Sequence, residues 1–225
     1  MCLFYPKNWQ DLAPLKIQKS SKFVTCLTFA NSNIMSSKIL SLASLLCFST
    51  LLFCCKKDAE PVKESPFFEL FKESAIVIDT VEQSADTWEY GFTFSPLKNG
   101  KITQLELKLP SLGGYLVTLW DLSGTTPKAL VTRELVTTQA HEVVSSDIPA
   151  SLVTKDLKYG VTIFSDNFYR ITKANSANFD FPKTIGNIRV ESFNEVINNN
   201  NQATFPASTN DTRVTPCVDV IFIAD

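Results

Sequence analysis

Trp88-Glu89-Tyr90-Gly91-Phe92-Thr93-Phe94, followed by Lys98-Asn99-Gly100-Lys101 and then Ile102-Thr103-Gln104-Leu105-Glu106-Leu107-Lys108-Leu109, is the stretch that decides the fold. In the first block, large apolar side chains alternate with polar residues or glycine. Successive side chains of a strand point to opposite faces, so this alternation places one face of 88–94 in a core and leaves the other wet. The third block repeats the pattern, with Leu105, Leu107 and Leu109 on one face and Gln104, Glu106 and Lys108 on the other. Between them, Asn-Gly tolerates the positive φ angles of a tight hairpin turn, which predicts that the chain reverses there.

Working outward, Tyr115 to Trp120 is nearly all apolar after Ser111-Leu112-Gly113-Gly114, as in a strand covered on both faces. Ala75 to Val81 is a plausible earlier strand. Later strands are expected at Ala129 to Val136, Glu142 to Ile148, Tyr159 to Phe164, Phe168 to Thr172, Ile188 to Phe193 and Val218 to Ile223. Turn residues separate them at intervals of roughly ten, the spacing of an antiparallel sandwich or barrel. Phe67-Phe68-Glu69-Leu70-Phe71 fits a short helix or an entering strand, and periodicity does not choose between them. No pattern of convincing helical length interrupts the strands. The expected class is all-β.

Upstream lies a segment of different character. Met35-Ser36-Ser37-Lys38 precedes an uncharged run from Ile39 to Phe53, then Cys54-Cys55 and Lys56-Lys57-Asp58. A positive start, a short apolar run and small residues near the cut describe an export signal. The run falls short of the roughly 20 apolar residues of a bilayer span. The segment resembles a bacterial lipoprotein signal peptide, in which Leu stands three residues before the modified cysteine and a small residue just before it. Leu52 and Cys54 place that cysteine at Cys55, whereas Cys54 would have the bulky Phe53 before it. The resemblance implies lipidation of Cys55 and a membrane anchor through its acyl chains, several of which hold a protein stably on a bilayer. Asp58 and Glu60 after the lysine pair look like tags that direct some lipoproteins to the outer membrane. The chain is thus expected to comprise 1–34 as an extension foreign to the native protein, with translation starting at Met35; 35–54 as signal peptide; 55–66 as a lipidated tether with two prolines; and 67–225 as one domain.

The blocks Trp88 to Phe94, Gly100-Lys101-Ile102, Leu119-Trp120-Asp121-Leu122-Ser123-Gly124, Tyr159-Gly160-Val161-Thr162, Phe181-Pro182-Lys183-Thr184-Ile185-Gly186-Asn187-Ile188 and Val218-Asp219-Val220-Ile221-Phe222 resemble an uncharacterised bacterial surface domain, domain of unknown function 4082. The likeness spans about Val81 to Asp225. It implies an antiparallel jelly-roll-like β-sandwich, often found beside immunoglobulin-like or carbohydrate-related modules in extracellular proteins, and it implies no reaction. This chain is expected to carry the domain without such a companion module.

Charge and cysteine usage exclude several classes. From Cys55 onward the chain has 16 basic and 22 acidic residues. Nucleic-acid backbones are gripped by clustered Lys and Arg, so a mildly acidic body with scattered bases argues against a nucleic-acid partner and against electrostatic docking on anionic lipid. Of six cysteines, only Cys217 lies beyond Cys55, which leaves no disulfide framework and no Cys/His metal set. Cys217 reads as a small residue at the edge of the last strand.

His141 is the only histidine, no G-x-S-x-G elbow accompanies it, and it reads as a surface residue. Phosphate-cradling loops and zinc-protease helices are absent as motifs. No catalytic or metal-ligating residue is assigned. A glycosidase needs only two acids brought together in space, so an envelope polysaccharide hydrolase using paired carboxylates is the alternative to a non-catalytic binding or structural module. Sugar binding uses aromatic platforms with polar partners; Phe168, Tyr169 and Arg170 with Asp166 and Asn167 form the candidate ligand site, and Trp120, Tyr115 and Tyr159 are further platforms. Packing in the core or rim is the competing role for such rings. Asn194 and Asn198 to Gln202, with Asp180, Asn210 and Asp211 near in sequence, offer oxygens for a structural calcium. They lack the regular D-x-[DN]-x-[DN]-G spacing, so a solvated loop and no cofactor are expected. The expected partners are the membrane through Cys55 and a glycan or an envelope protein.

Overall fold

The computed structural model describes residues 60–200 and 202–225, and residues 59–225 form one compact unit. The readings placed on 1–34, on 35–54 and on Cys55 fall outside the described residues. Eleven strands are described: β1 (Ile76–Val81), β2 (Trp88–Pro96), β3 (Gly100–Lys108), β4 (Gly113–Asp121), β5 (Lys128–Thr137), β6 (Val143–Val153), β7 (Tyr159–Ser165), β8 (Phe168–Lys173), β9 (Lys183–Ile185), β10 (Ile188–Ile197) and β11 (Val218–Ala224). The ambiguous opening Phe67 to Phe71 is a short 3-10 helix, Phe68–Lys72.

One layer is the six-stranded antiparallel sheet β5-β4-β7-β2-β10-β9. The other is built on β11-β3-β6. Val214, just ahead of β11, bridges Ile171 of β8, so the ribbon β1-β8 lies beside β11 and widens this layer. Between the layers sits an aromatic and aliphatic core: Tyr90, Phe92 and Phe94 of β2, Val161 and Ile163 of β7, Val117 and Leu119 of β4, facing Leu105 and Leu107 of β3 and Val218, Val220 and Phe222 of β11, all essentially unexposed. Fully burying one such side chain contributes about 1.5–3 kcal/mol. The result is the all-β antiparallel sandwich that the alternation predicts.

The chain reverses at Asn99-Gly100, but not into a hairpin. β2 pairs with β10 and β7, whereas β3 pairs with β11 and β6, so the turn carries the chain from one layer to the other. The apolar faces of the two strands thereby meet across the core instead of lying side by side in one sheet. Gly100 serves close approach there, since a Cβ would strike the Ile223 carbonyl and the Phe222 ring. Asn99 ties the corner, its side chain accepting from the Lys155 amide at 2.9 Å and its carbonyl from the Asp225 amide at 3.0 Å. The true two-residue hairpin joins β9 to β10, with Ile185 opposite Ile188 and Gly186 at φ 59°. A positive φ at the first central residue is what a glycine-led hairpin turn requires.

The end of the stretch read as a tether belongs to the fold. Glu64 pairs through its backbone with Phe222, and its carboxylate accepts from the Asn187 backbone and side-chain N–H groups. Phe67 then enters the core and stacks on Phe92, ring centroids 4.3 Å apart.

Candidate functional site

The polar face of β2 is not wet. Glu89 is 1% exposed and Thr93 8%, because Asn198 and the segment from Gln202 to Pro206 lie over this outer face of the six-stranded sheet. Pairing sets the floor beneath it: Glu89 lies opposite Phe164, Gly91 opposite Thr162 and Thr93 opposite Gly160 on β7, while Thr118 and Trp120 of β4 lie opposite Thr162 and Gly160. This cover is fastened to Glu89. Oε2 accepts from the Thr204 amide at 2.8 Å, the Thr204 hydroxyl at 3.3 Å and the Asn198 side-chain amide at 2.9 Å. Asn194 adds a second fastening, receiving the Thr93 hydroxyl and donating to the Pro206 carbonyl. Phe205 packs against the face of Gly160 and edge-on to Trp120, centroids 6.1 Å apart.

Donor chemistry fixes the direction of the remaining bonds. An indole N–H only donates. Trp120 Nε1 therefore gives its proton to Thr162 Oγ1 at 2.8 Å, and the Thr162 hydroxyl gives its own to Glu89 Oε1 at 3.1 Å. Burial pushes the Glu89 carboxyl above its ordinary pKa, while the bonds from Thr204, Asn198 and Thr162 act in the opposite sense. Glu89 forms no ion pair among the described residues.

Beside this carboxylate the sheet opens into a hollow of about 180 Å³, lined by Glu89, Thr118 and Thr162 with Leu116, Phe164, Gly114 and Ala203. Apolar walls around a few convergent polar groups are the usual makeup of a small-ligand site. At its rim, the Glu134 carboxylate of β5 lies over Gly114 in the space a Cβ would take. Two larger hollows, about 330 and 260 Å³, flank the stacked pair Phe179 and Phe181. In the first, the charges on the walls are already matched, Lys183 to Glu73 and Lys173 to Asp180. Of these three hollows, the smaller one places a buried carboxylate without an ion pair against an opening.

The residues picked from sequence separate into two places. Trp120, on β4 opposite the start of β7, is 6% exposed and bonded to Thr162 beside the hollow. Asp166, Phe168, Tyr169 and Arg170 lie together at the other end of β7, on the corner leading into β8. There Phe168 is 4% and Tyr169 6% exposed, with Phe168 edge-on to Tyr90 and Tyr169 edge-on to Phe71. Arg170 lies 5.3 Å over the Phe168 ring, and Asp166 accepts from Asn167. Tyr115 and Tyr159 direct their rings into the core and their hydroxyls to Asn167 and the Thr154 amide. His141 is exposed and hydrogen-bonded through Nδ1 to the Tyr169 hydroxyl. Of the asparagine-rich stretch read as solvated, Asn194 and Asn198 are buried and work as fasteners, because their amides answer Thr93 and Glu89.

Among the described residues, one carboxyl pair shares a hydroxyl. Glu106 and Asp219 face each other across β3 and β11, joined through the Ser65 hydroxyl at 2.8 and 2.9 Å. They are 9% and 0% exposed, which screens them from a polymeric substrate.

Glu89 and its hollow were the part that sequence reasoning missed. Its only signal was a carboxylate in the middle of an aromatic strand. No protein-family model matches the chain, and no curated protein does.

Proposed function

We propose that this chain is a lipid-anchored protein of the bacterial envelope, held at the outer membrane through Cys55, whose β-sandwich is a non-catalytic binding module for a glycan. The observation that carries the ligand site is the Glu89 hollow: a buried carboxylate with an unfilled acceptor position, hydroxyls of Thr118 and Thr162, and the apolar walls Leu116 and Phe164. A sugar presents both chemistries, hydroxyl donors at its edge and C–H groups on its faces, and such a wall and floor answer both. The size of the hollow is below that of drug-sized sites, which fits one ring at a chain end or branch. The leader supports the anchor by its run length, by Leu52 and by the charge that begins at Lys56. The likeness to domain of unknown function 4082 points to the same extracellular setting.

The test is a binding screen of residues 59–225 against glycans and envelope components, with products monitored. Saturable binding without turnover is expected, and Leu116→Arg, which fills the hollow from an exposed position, should weaken it at least tenfold. Released products would overturn the non-catalytic reading in favour of a polysaccharide hydrolase. For the anchor, Cys55→Ser should move the exported protein from the membrane pellet to the soluble fraction; unchanged pelleting would refute it.

A further inference from the structure

We propose that the hollow on the six-stranded sheet selects a protonated primary amine, so that its ligand is an amino sugar lacking the N-acetyl group. This rests on the hollow being the ligand site and adds the charge of what it takes. One carboxylate lines it, Glu89 in the floor, and it forms no ion pair among the described residues. No lysine or arginine lines the hollow. A buried carboxylate without a cation is costly and favours whichever ligand brings one.

The hydrogen-bond count gives the amine its place. Glu89 Oε2 is occupied by three donors from Thr204 and Asn198, whereas Oε1 receives only the Thr162 hydroxyl and keeps a second lone pair. Thr118 shares one hydrogen bond with Thr132 at 3.1 Å, which leaves its oxygen able to accept another. An ammonium has three N–H donors and no acceptor, so a lining that offers these free acceptors suits it. The Phe164 ring on the wall suits a cation over its face. An N-acetyl group loses on each count, because the nitrogen is neutral, carries one N–H and brings a carbonyl oxygen toward the Glu89 carboxylate.

The experiment titrates the full chain in neutral detergent with glucosamine oligomers and with their N-acetylated counterparts, by calorimetry at one ionic strength. The amine form should bind at least tenfold tighter, and Glu89→Gln should erase that ratio. Thr118→Lys serves as the second variant, since it leaves the Glu89 fastening intact and puts the protein's own ammonium in the hollow; it should abolish amine binding even if Glu89→Gln fails to fold. Equal or tighter binding of the N-acetylated form overturns the amine inference and leaves the glycan module standing. Amine preference that survives Thr118→Lys also overturns it. If no sugar binds, charged or neutral, both readings fall.

Discussion

At the scale of single residues, Asp219 carries the clearest consequence. Three contacts converge on its carboxyl, from the Phe68 amide at 2.7 Å, the Val220 amide at 2.8 Å and the Ser65 hydroxyl. A hydroxyl has one proton, yet Ser65 Oγ sits at bonding distance from both Asp219 and Glu106, so a second proton must lie on one of the two acids. Burial accordingly pushes Asp219 from its ordinary 3.8 to about 8, with the Glu106 charge adding to the rise. The folded state keeps a proton that the unfolded chain has released, so this contribution is full below pH 3.8 and is lost as pH rises towards 8. The slope is at most about 1.4 kcal/mol per pH unit. Urea unfolding of wild type and Asp219→Asn at pH 5, 6, 7 and 8 should show wild type losing stability relative to the variant with each step; a constant difference would show that no proton is held. Nothing local in the sequence announced this pair. Glu106 was legible as a polar residue on a wet face, but its cover comes from Ser65, 41 residues away. Glu89 was hidden for the same reason, its lid being Thr204, 115 residues on.

At the scale of elements, period-two alternation made β2 and β3 legible, since each turns one face of apolar side chains into the core. The expected strand at 129–136 emerges as Lys128–Thr137 and that at 188–193 as Ile188–Ile197. The alternation could not say which sheet a strand joins. Asn99-Gly100 was read as a hairpin because local turn chemistry is the same for a turn within a layer and a turn between layers. β9 went unseen because three residues hold too little pattern, although Gly186-Asn187 marked its turn. The covering segment 202–206 shows how one strand position governs a loop. Gly160 leaves room for the Phe205 ring, and any Cβ there would collide with it. Gly160→Ala should therefore lift Phe205 from Trp120, weaken ligand binding and red-shift the fluorescence of residues 59–225, at a stability cost of about 1–3 kcal/mol. An unchanged emission maximum would mean that the ring does not depend on this glycine.

At the scale of the whole molecule, composition and turn spacing foretold a sandwich of this class, while the hollow was not legible: it depends on three strands and a loop meeting, and Trp120, named as a platform, lies next to it through Thr162. The segment entering the sandwich at Glu64 is the connection between Cys55 and the core. Phe67 contributes the stacked contact with Phe92 and is unexposed. Its truncation to alanine should cost about 3–5 kcal/mol in urea unfolding. The same entry has a mechanical meaning. If a protein is held by its N-terminus and its sheet face grips a polymer, tension from the polymer passes through the body to Glu64 and Phe222. These are joined by two backbone hydrogen bonds of 2.9 Å, and Phe67 is wedged behind them. The first thing such a pull would peel is the plug of the core, not the binding face. In a single-molecule stretching measurement from the N-terminus, Phe67→Ala should rupture at lower force than wild type, while Leu116→Arg, on the far sheet, should leave the rupture force unchanged.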